Sequence, residues 1–397
     1  MAFDPEKATQ AYIDGLGSEA LAKAAAYTID GHWMILWGLL VSALATFIIV
    51  RLGITDRIWT MLEKRGWALR TFLTSAGFFL VSAIITLPWG IYQEWGHERR
   101  YGRTQQPLAD FLIQDAIGIA LSTVFAGLFF LGVYALIRRT GKRWWLWSGG
   151  LAAVAGGAAL LLAPTVIEPL FNEYQPIPQG EVRDAVLAMA NAVNIPADRI
   201  FIYDGSRQSN NFTANVSGIG GAARIAISDV ALKQASLDEV RAVTGHEIGH
   251  YVLGHVWRFV IMLSVLAIVF FFLADRLFAR FARLFGSKTI QIGDPRGLPV
   301  LIFVLSLLGI FAVPITNSLT RIGESEADAY SLQMVNLPDA LAGALVKTAE
   351  YRYPRPHPVQ EMLFYTHPSV ERRVRRAMEW KAAHLPSANP AAKLPKP

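Results

Sequence analysis

The stretch Thr244-Gly245-His246-Glu247-Ile248-Gly249-His250 sets a carboxylate between two imidazoles. On a helix, His246 and His250 leave the same face about one turn apart, a spacing at which two ring nitrogens reach one Zn²⁺. Glu247 stands beside them and can take a proton from a water activated there. Two histidines need a third protein ligand if one position is to stay open for catalysis. The chain has no cysteine, so disulfides and thiolate-bound zinc are excluded and the third ligand must be His or a carboxylate. The extended pattern H-E-x-x-H-x-x-G-x-x-H is not met, because Gly254 and His255 each stand one residue out of place. The segment 317–328 offers a different partner. Glu324 and Asp328 share a helix face there, so Glu324 can ligate while Asp328 accepts the second N–H of a ligand imidazole. Glu326 points elsewhere and reads as a solvated charge. His255 reads as an interfacial residue, and Arg321 as the structural partner of a carboxylate. His32, His97, His357 and His384 belong to no constellation.

These residues need elements to hold them. Residues 236–252 read as a helix, with Ser236 as N-cap and Glu239 three residues on in a capping-box pattern. Ahead of it, 181–193 has helical periodicity, and 199–204, 213–217 and 224–228 read as strands. A turn is expected at 218–221. Around this mixed region lie apolar blocks near 33–50, 72–92, 116–137, 146–167, 257–273 and 300–315, each approaching the ~20 residues of a membrane span. The zinc-motif helix reads as running straight into the fifth. The composition agrees: 53% apolar and 17% charged residues, against about a quarter charged in soluble domains. The net charge of +6 fits basic loops beside anionic lipid. No nucleic-acid recognition module is visible, so no nucleic-acid partner is expected. Residues 1–31 lack the basic start of a secretory signal. The division expected is a membrane domain at 1–169 with four spans, a catalytic domain at 170–383 with two more, and a disordered tail at 384–397.

H-E-x-x-H, then two spans, then N-x-x-[ST]-R-x-x-E-x-x-A-D resembles the zinc-dependent type I CAAX prenyl protease family. It is similar, more distantly, to the heat-shock-associated membrane zinc proteases of bacteria. Glu168-Pro-Leu-Phe-Asn172, Pro176-Ile-Pro-Gln-Gly180, Asp204-Gly-Ser206, Tyr101-Gly102 and Thr366-His-Pro-Ser369 with Arg373 extend the resemblance over about residues 25–380. It implies a mainly α, polytopic membrane protein. The apolar blocks give about six transmembrane helices, one fewer than the eukaryotic members, and the resemblance implies that they surround a chamber, beside a zincin-like α+β catalytic domain with a small edge-stranded sheet. It implies one Zn²⁺ per chain on His246, His250 and Glu324. Glu247 would be general base and then acid, with Asp328 behind a ligand histidine and His367 by the oxyanion. Thr213, Ala214, Asn215 and Val216 would form the strand that pairs with extended substrate, and Arg373 would hold the local structure on the substrate side. Thr213 stands where the family has Asn, and Asn215 where it has an aromatic.

The function expected is therefore an integral-membrane zinc metalloendopeptidase. Its substrate would be a CAAX-like peptide or a membrane protein in quality control. The alternative is a non-proteolytic scaffold or transporter with a structural metal site. The expected partners are a peptide or protein substrate and the lipid bilayer, with the chain a monomer. The location expected is multi-pass in a membrane, the inner one if the source is bacterial.

Overall fold

The computed structural model describes residues 3–218 and 223–384. Of the expected turn at 218–221 and tail at 384–397, only Gly218 and His384 fall among the described residues.

Helices dominate. α1 (Pro5–Asp14) and α2 (Ser18–Arg51) open the chain, followed by α3 (Ile54–Met61) and α4 (Trp67–Gly90). A π-turn at Ile91–Gly96 leads into α5 (His97–Arg100), then α6 (Leu108–Thr140) and α7 (Trp144–Leu162). The mixed region holds α8 (Glu181–Ala192), α9 (Asp229–Gln234) and α10 (Leu237–Val252). α11 (His255–Phe285), α12 (Leu298–Val335), α13 (Pro338–Lys347), α14 (Pro358–Phe364) and α15 (Val370–His384) complete the chain. Five apolar segments are long enough to cross a membrane, and one of them, Leu108–Leu170, contains both α6 and α7. All six expected spans are thus helical. α2, α6, α11 and α12 outrun their apolar blocks at both ends, because the backbone hydrogen bonds that favour a helix in lipid do not stop where hydropathy falls, while α4 and α7 pass into π-helical turns near the ends of theirs. The interior of this bundle is aromatic and aliphatic, with Phe78, Phe130, Tyr134, Phe271, Phe278 and Leu301 at its centre.

Four short strands make one sheet in the order β1-β2-β4-β3: β1 (Tyr174–Pro176), β2 (Ile200–Tyr203), β3 (Ala214–Ser217) and β4 (Arg224–Ser228). β2 and β4 are parallel, and β3 runs antiparallel to β4 at the edge, where the sequence put it. Ile200, Ile225 and Ile227 turn one face of the sheet onto Val186 of α8 and Val240 and Ile248 of α10. A third core joins the two ends of the chain: Ile13 packs with Leu332, Leu341, Val374 and Met378.

Candidate metal centre

α10 starts where the capping box predicts. The Ser236 hydroxyl accepts from the Glu239 backbone N–H at 3.3 Å, and the Glu239 carboxylate accepts from the Ser236 N–H at 2.7 Å. It does not run into the following span. Gly254, at φ +67°, breaks the helix, and His255 begins a new one. The break turns His255 back onto His250, an arrangement that a continuous helix would not allow.

The centre lies between α10 and α12, and small residues set their separation. A Cβ on Gly249 would stand 3.2 Å from the Ala327 Cα and 3.3 Å from its carbonyl oxygen, so the backbones meet there with no room for a side chain. About two turns earlier on α10, the Ser331 hydroxyl donates to the Ala242 carbonyl at 2.6 Å. Gly249→Val should force the helices apart, at a cost of about 1–3 kcal/mol typical of overpacking. The expected result is a lower melting temperature together with weaker metal retention, measured by titration with a chelator. An unchanged variant would place the helix spacing elsewhere.

Across this contact His246, His250 and Glu324 each offer a ligand atom, all within 4.8 Å of one another. His246 Nε2 is 3.3 Å from Glu324 Oε2, His250 Nε2 is 3.4 Å from Glu324 Oε1, and the two Nε2 atoms are 3.1 Å apart. Their tautomers follow from what stands behind them. Asp328 Oδ1 lies 2.9 Å from His246 Nδ1, and an ionised carboxylate only accepts, so the His246 proton sits on Nδ1. Behind His250, its Nδ1 is 2.8 Å from His255 Nδ1, while His255 Nε2 is 2.9 Å from Glu326 Oε2. Glu326 fixes the His255 proton on Nε2, so His255 Nδ1 accepts the His250 proton. In the neutral form that metal ligation requires, both Nε2 atoms present lone pairs to a carboxylate. Glu324 Oε2 is buried with no hydrogen-bond partner among the described residues. Lone pairs converging on a buried carboxylate repel unless a cation sits among them, so the residues fit a divalent metal.

Glu326 and His255 depart from their expected parts. Glu326 is no free surface charge, since it holds His255 and Arg258 together. Arg321 binds carbonyls rather than a carboxylate. It donates to the Glu361 and Tyr365 oxygens at 2.9 and 2.5 Å and so fixes the loop that carries His367.

His367 Nε2 reaches Glu324 Oε1 at 3.2 Å, and Thr366 Oγ1 lies 2.8 Å from its Nδ1. Burial, and after it the charge of Arg352, push the His367 imidazolium down to about 3, so the ring is neutral. Arg373 grips Asp328 with Nε and Nη2, both at 2.7 Å, and its Nη2 lies 3.6 Å from Glu324. Burial alone would lower the Arg373 pKa, but the Asp328 carboxylate outweighs it and the net shift is upward. A cavity of about 300 Å³ opens over this group. Glu247 faces it, half-buried, and burial raises its carboxyl above the usual range. Thr213 and Ala214 line the cavity and Asn215 and Val216 do not. The Thr213 hydroxyl is engaged with the Tyr203 hydroxyl at 2.7 Å. His367, Tyr351 and Arg352 also border a second chamber of about 520 Å³ against α2 and the π-turn. Arg352 belongs to no motif, and the sequence gives no signal for it.

Two family models match the chain. Residues 176–381 match the model of peptidase family M48, and residues 5–173 match that of the CAAX prenyl protease N-terminal region, described as five membrane helices. The chain is 27% identical to an uncharacterized metalloprotease of Bacillus subtilis, YhfN, over 90% of this chain and 85% of that protein. It is 26% identical to a CAAX prenyl protease 1 homolog of Arabidopsis thaliana, over 91% and 88% of the two chains. The crystal structure of S. mikatae Ste24p shares the fold, with a TM-score of 0.77, 20% identity and 94% of each chain covered.

Proposed function

The chain belongs to peptidase family M48, and on that premise we propose that this multi-pass membrane metallopeptidase is a zinc endopeptidase whose metal is held by His246, His250 and Glu324. Zinc bound there supplies Lewis acidity toward a scissile carbonyl and toward water. Glu247 takes the proton of the attacking water from the cavity side and delivers it to the leaving amine. Asp328 and His255 hold the outer N–H groups of the two ligand imidazoles, which fixes their orientation. His367, neutral and beside Glu324, is the donor for the developing oxyanion. The substrate is a peptide laid in extended form along β3, with Thr213 and Ala214 at the cavity. Residues 1–169 build the membrane frame and 170–383 the peptidase. The scaffold or transporter reading has no support.

The observation that carries this is the convergence of two histidine ring nitrogens on one buried carboxylate, with Glu247 bordering the same cavity. Purified protein should contain stoichiometric zinc by elemental mass spectrometry and cleave a quenched fluorescent peptide. His250→Ala should lose both metal and cleavage while the spans stay folded. Metal-free protein that cleaves at the full rate would overturn the reading.

A further inference from the structure

We propose that Arg352 is a specificity residue that binds a carboxylate of the substrate, an assignment that rests on the peptidase reading above. Its neighbours carry the argument. The acidic and basic side chains on the cavity wall are His246, Glu247, Glu324, Arg352, His367 and Arg373. Arg373 is fully engaged by Asp328 and Glu324. Arg352 is not engaged: among the described residues its guanidinium lies within 4.0 Å of no carboxylate and makes no side-chain hydrogen bond, and Tyr351 is the aromatic ring it approaches, at 5.4 Å. A guanidinium without a partner in a half-buried wall is costly, and burial lowers the Arg352 pKa from its ordinary value. It stays charged nonetheless. With a divalent cation in place, the carboxylates of Glu247, Glu324 and Asp328 are balanced by that cation and Arg373. Arg352 is the charge left over on that wall, and Glu94 and Glu98, which line the second chamber it also borders, make no ion pair with it.

Its position says what would neutralise it. Arg352 stands with His367 and Tyr351 where the cavity over the metal ligands meets the larger chamber. A peptide whose scissile bond lies over the metal ligands carries its neighbouring residues past that junction. The guanidinium fork suits a carboxylate in a bidentate pair. That carboxylate can be a peptide C-terminus or an Asp or Glu side chain a few residues from the bond cut.

The test measures binding as well as turnover. Glu247→Gln protein is titrated with fluorescent peptides in two pairs, one with a free or an amidated C-terminus and one with internal Glu or Gln. Arg352 should give the charged member of at least one pair about tenfold tighter binding or more, as charge-assisted hydrogen bonds do. A preference in the first pair alone assigns the C-terminus, and in the second alone the side chain. Adding Arg352→Gln should bring that ratio to about one with the melting temperature held, Arg352→Lys should keep part of it, and Arg352→Glu should favour a Lys-bearing peptide. Equal binding within both pairs, or a ratio that survives Arg352→Gln, overturns the proposal. Wild-type protein is run on the amidated, Gln-bearing peptide in parallel. Cleavage there without any carboxylate preference removes Arg352's part alone, whereas no cleavage of any peptide removes the peptidase reading itself.

Discussion

Glu247→Gln should lower kcat for peptide hydrolysis by about 10²–10⁴-fold and leave zinc content and KM nearly unchanged. At about 1.4 kcal/mol per decade this is roughly 3–5.5 kcal/mol of transition-state stabilisation from one group. The loss should fall on kcat because Glu247 holds no other part of the site together. It is neither among the three converging ligand atoms nor in the hydrogen bonds behind them. It borders the cavity from α10, one residue on from His246, where a proton can be taken from water and passed to a departing amine. Gln keeps the size and the polar contacts and removes the basic oxygen. Metal content by elemental analysis and thermal melting are the controls, since a variant inactive through lost zinc would say nothing about the base. Undiminished hydrolysis in a zinc-loaded Glu247→Gln protein would falsify the mechanism.

The cluster of His246, His250, Glu324 and Asp328 was legible in the sequence because both halves of it obey helix spacing. His246 and His250, and again Glu324 and Asp328, stand four apart, so each pair is forced onto one face whatever the tertiary structure. What spacing cannot show is which faces meet. Gly245 and Gly249, on the motif helix itself, carry that information as an absence of side chains, and it becomes visible only when Ala327 and Ser331 are seen against them. Glu326 shows the same limit. Two residues from Glu324, it turns away from the metal ligands, so helix geometry makes it a surface charge. It becomes a partner because the chain breaks at Gly254 and brings His255 back between Glu326 and His250. Hydropathy located the spans and misjudged their ends. The last span and the polar segment after it are one helix, α12, which carries Glu324 and Asp328 rigidly out of the membrane frame. The packing of α1 was not legible because it has one fully buried aliphatic residue, Ile13, and its partners lie at the other end of the chain. Arg352 was invisible for a different reason. It matters through the lack of a partner, and only a structure shows that.

Removing Arg373 should be the most destabilising single change at the centre, and its repair should separate stability from metal binding. Arg373→Met leaves Asp328 and Glu324 buried without the guanidinium they share. Breaking a buried pair from one side typically costs about 3–5 kcal/mol, because the remaining charge is stranded. Measured in excess chelator, so that metal linkage does not contribute, the melting transition should fall steeply. Arg373→Lys should recover only part of it, since an ammonium cannot donate from two positions to the Asp328 carboxylate as Nε and Nη2 do. The paired change Asp328→Leu with Arg373→Met removes both charges, and apolar replacements of a buried pair are often neutral or better. It should restore much of the melting temperature. It should not restore zinc, because His246 Nδ1 then has no acceptor and the imidazole is free to turn its lone pair away from Glu324. Loss of such an outer partner costs about 10–100-fold in metal affinity. Competition with a fluorescent chelator reads that directly. If the double variant regained wild-type zinc affinity along with its stability, Asp328 would be a structural counter-ion to Arg373 and nothing more.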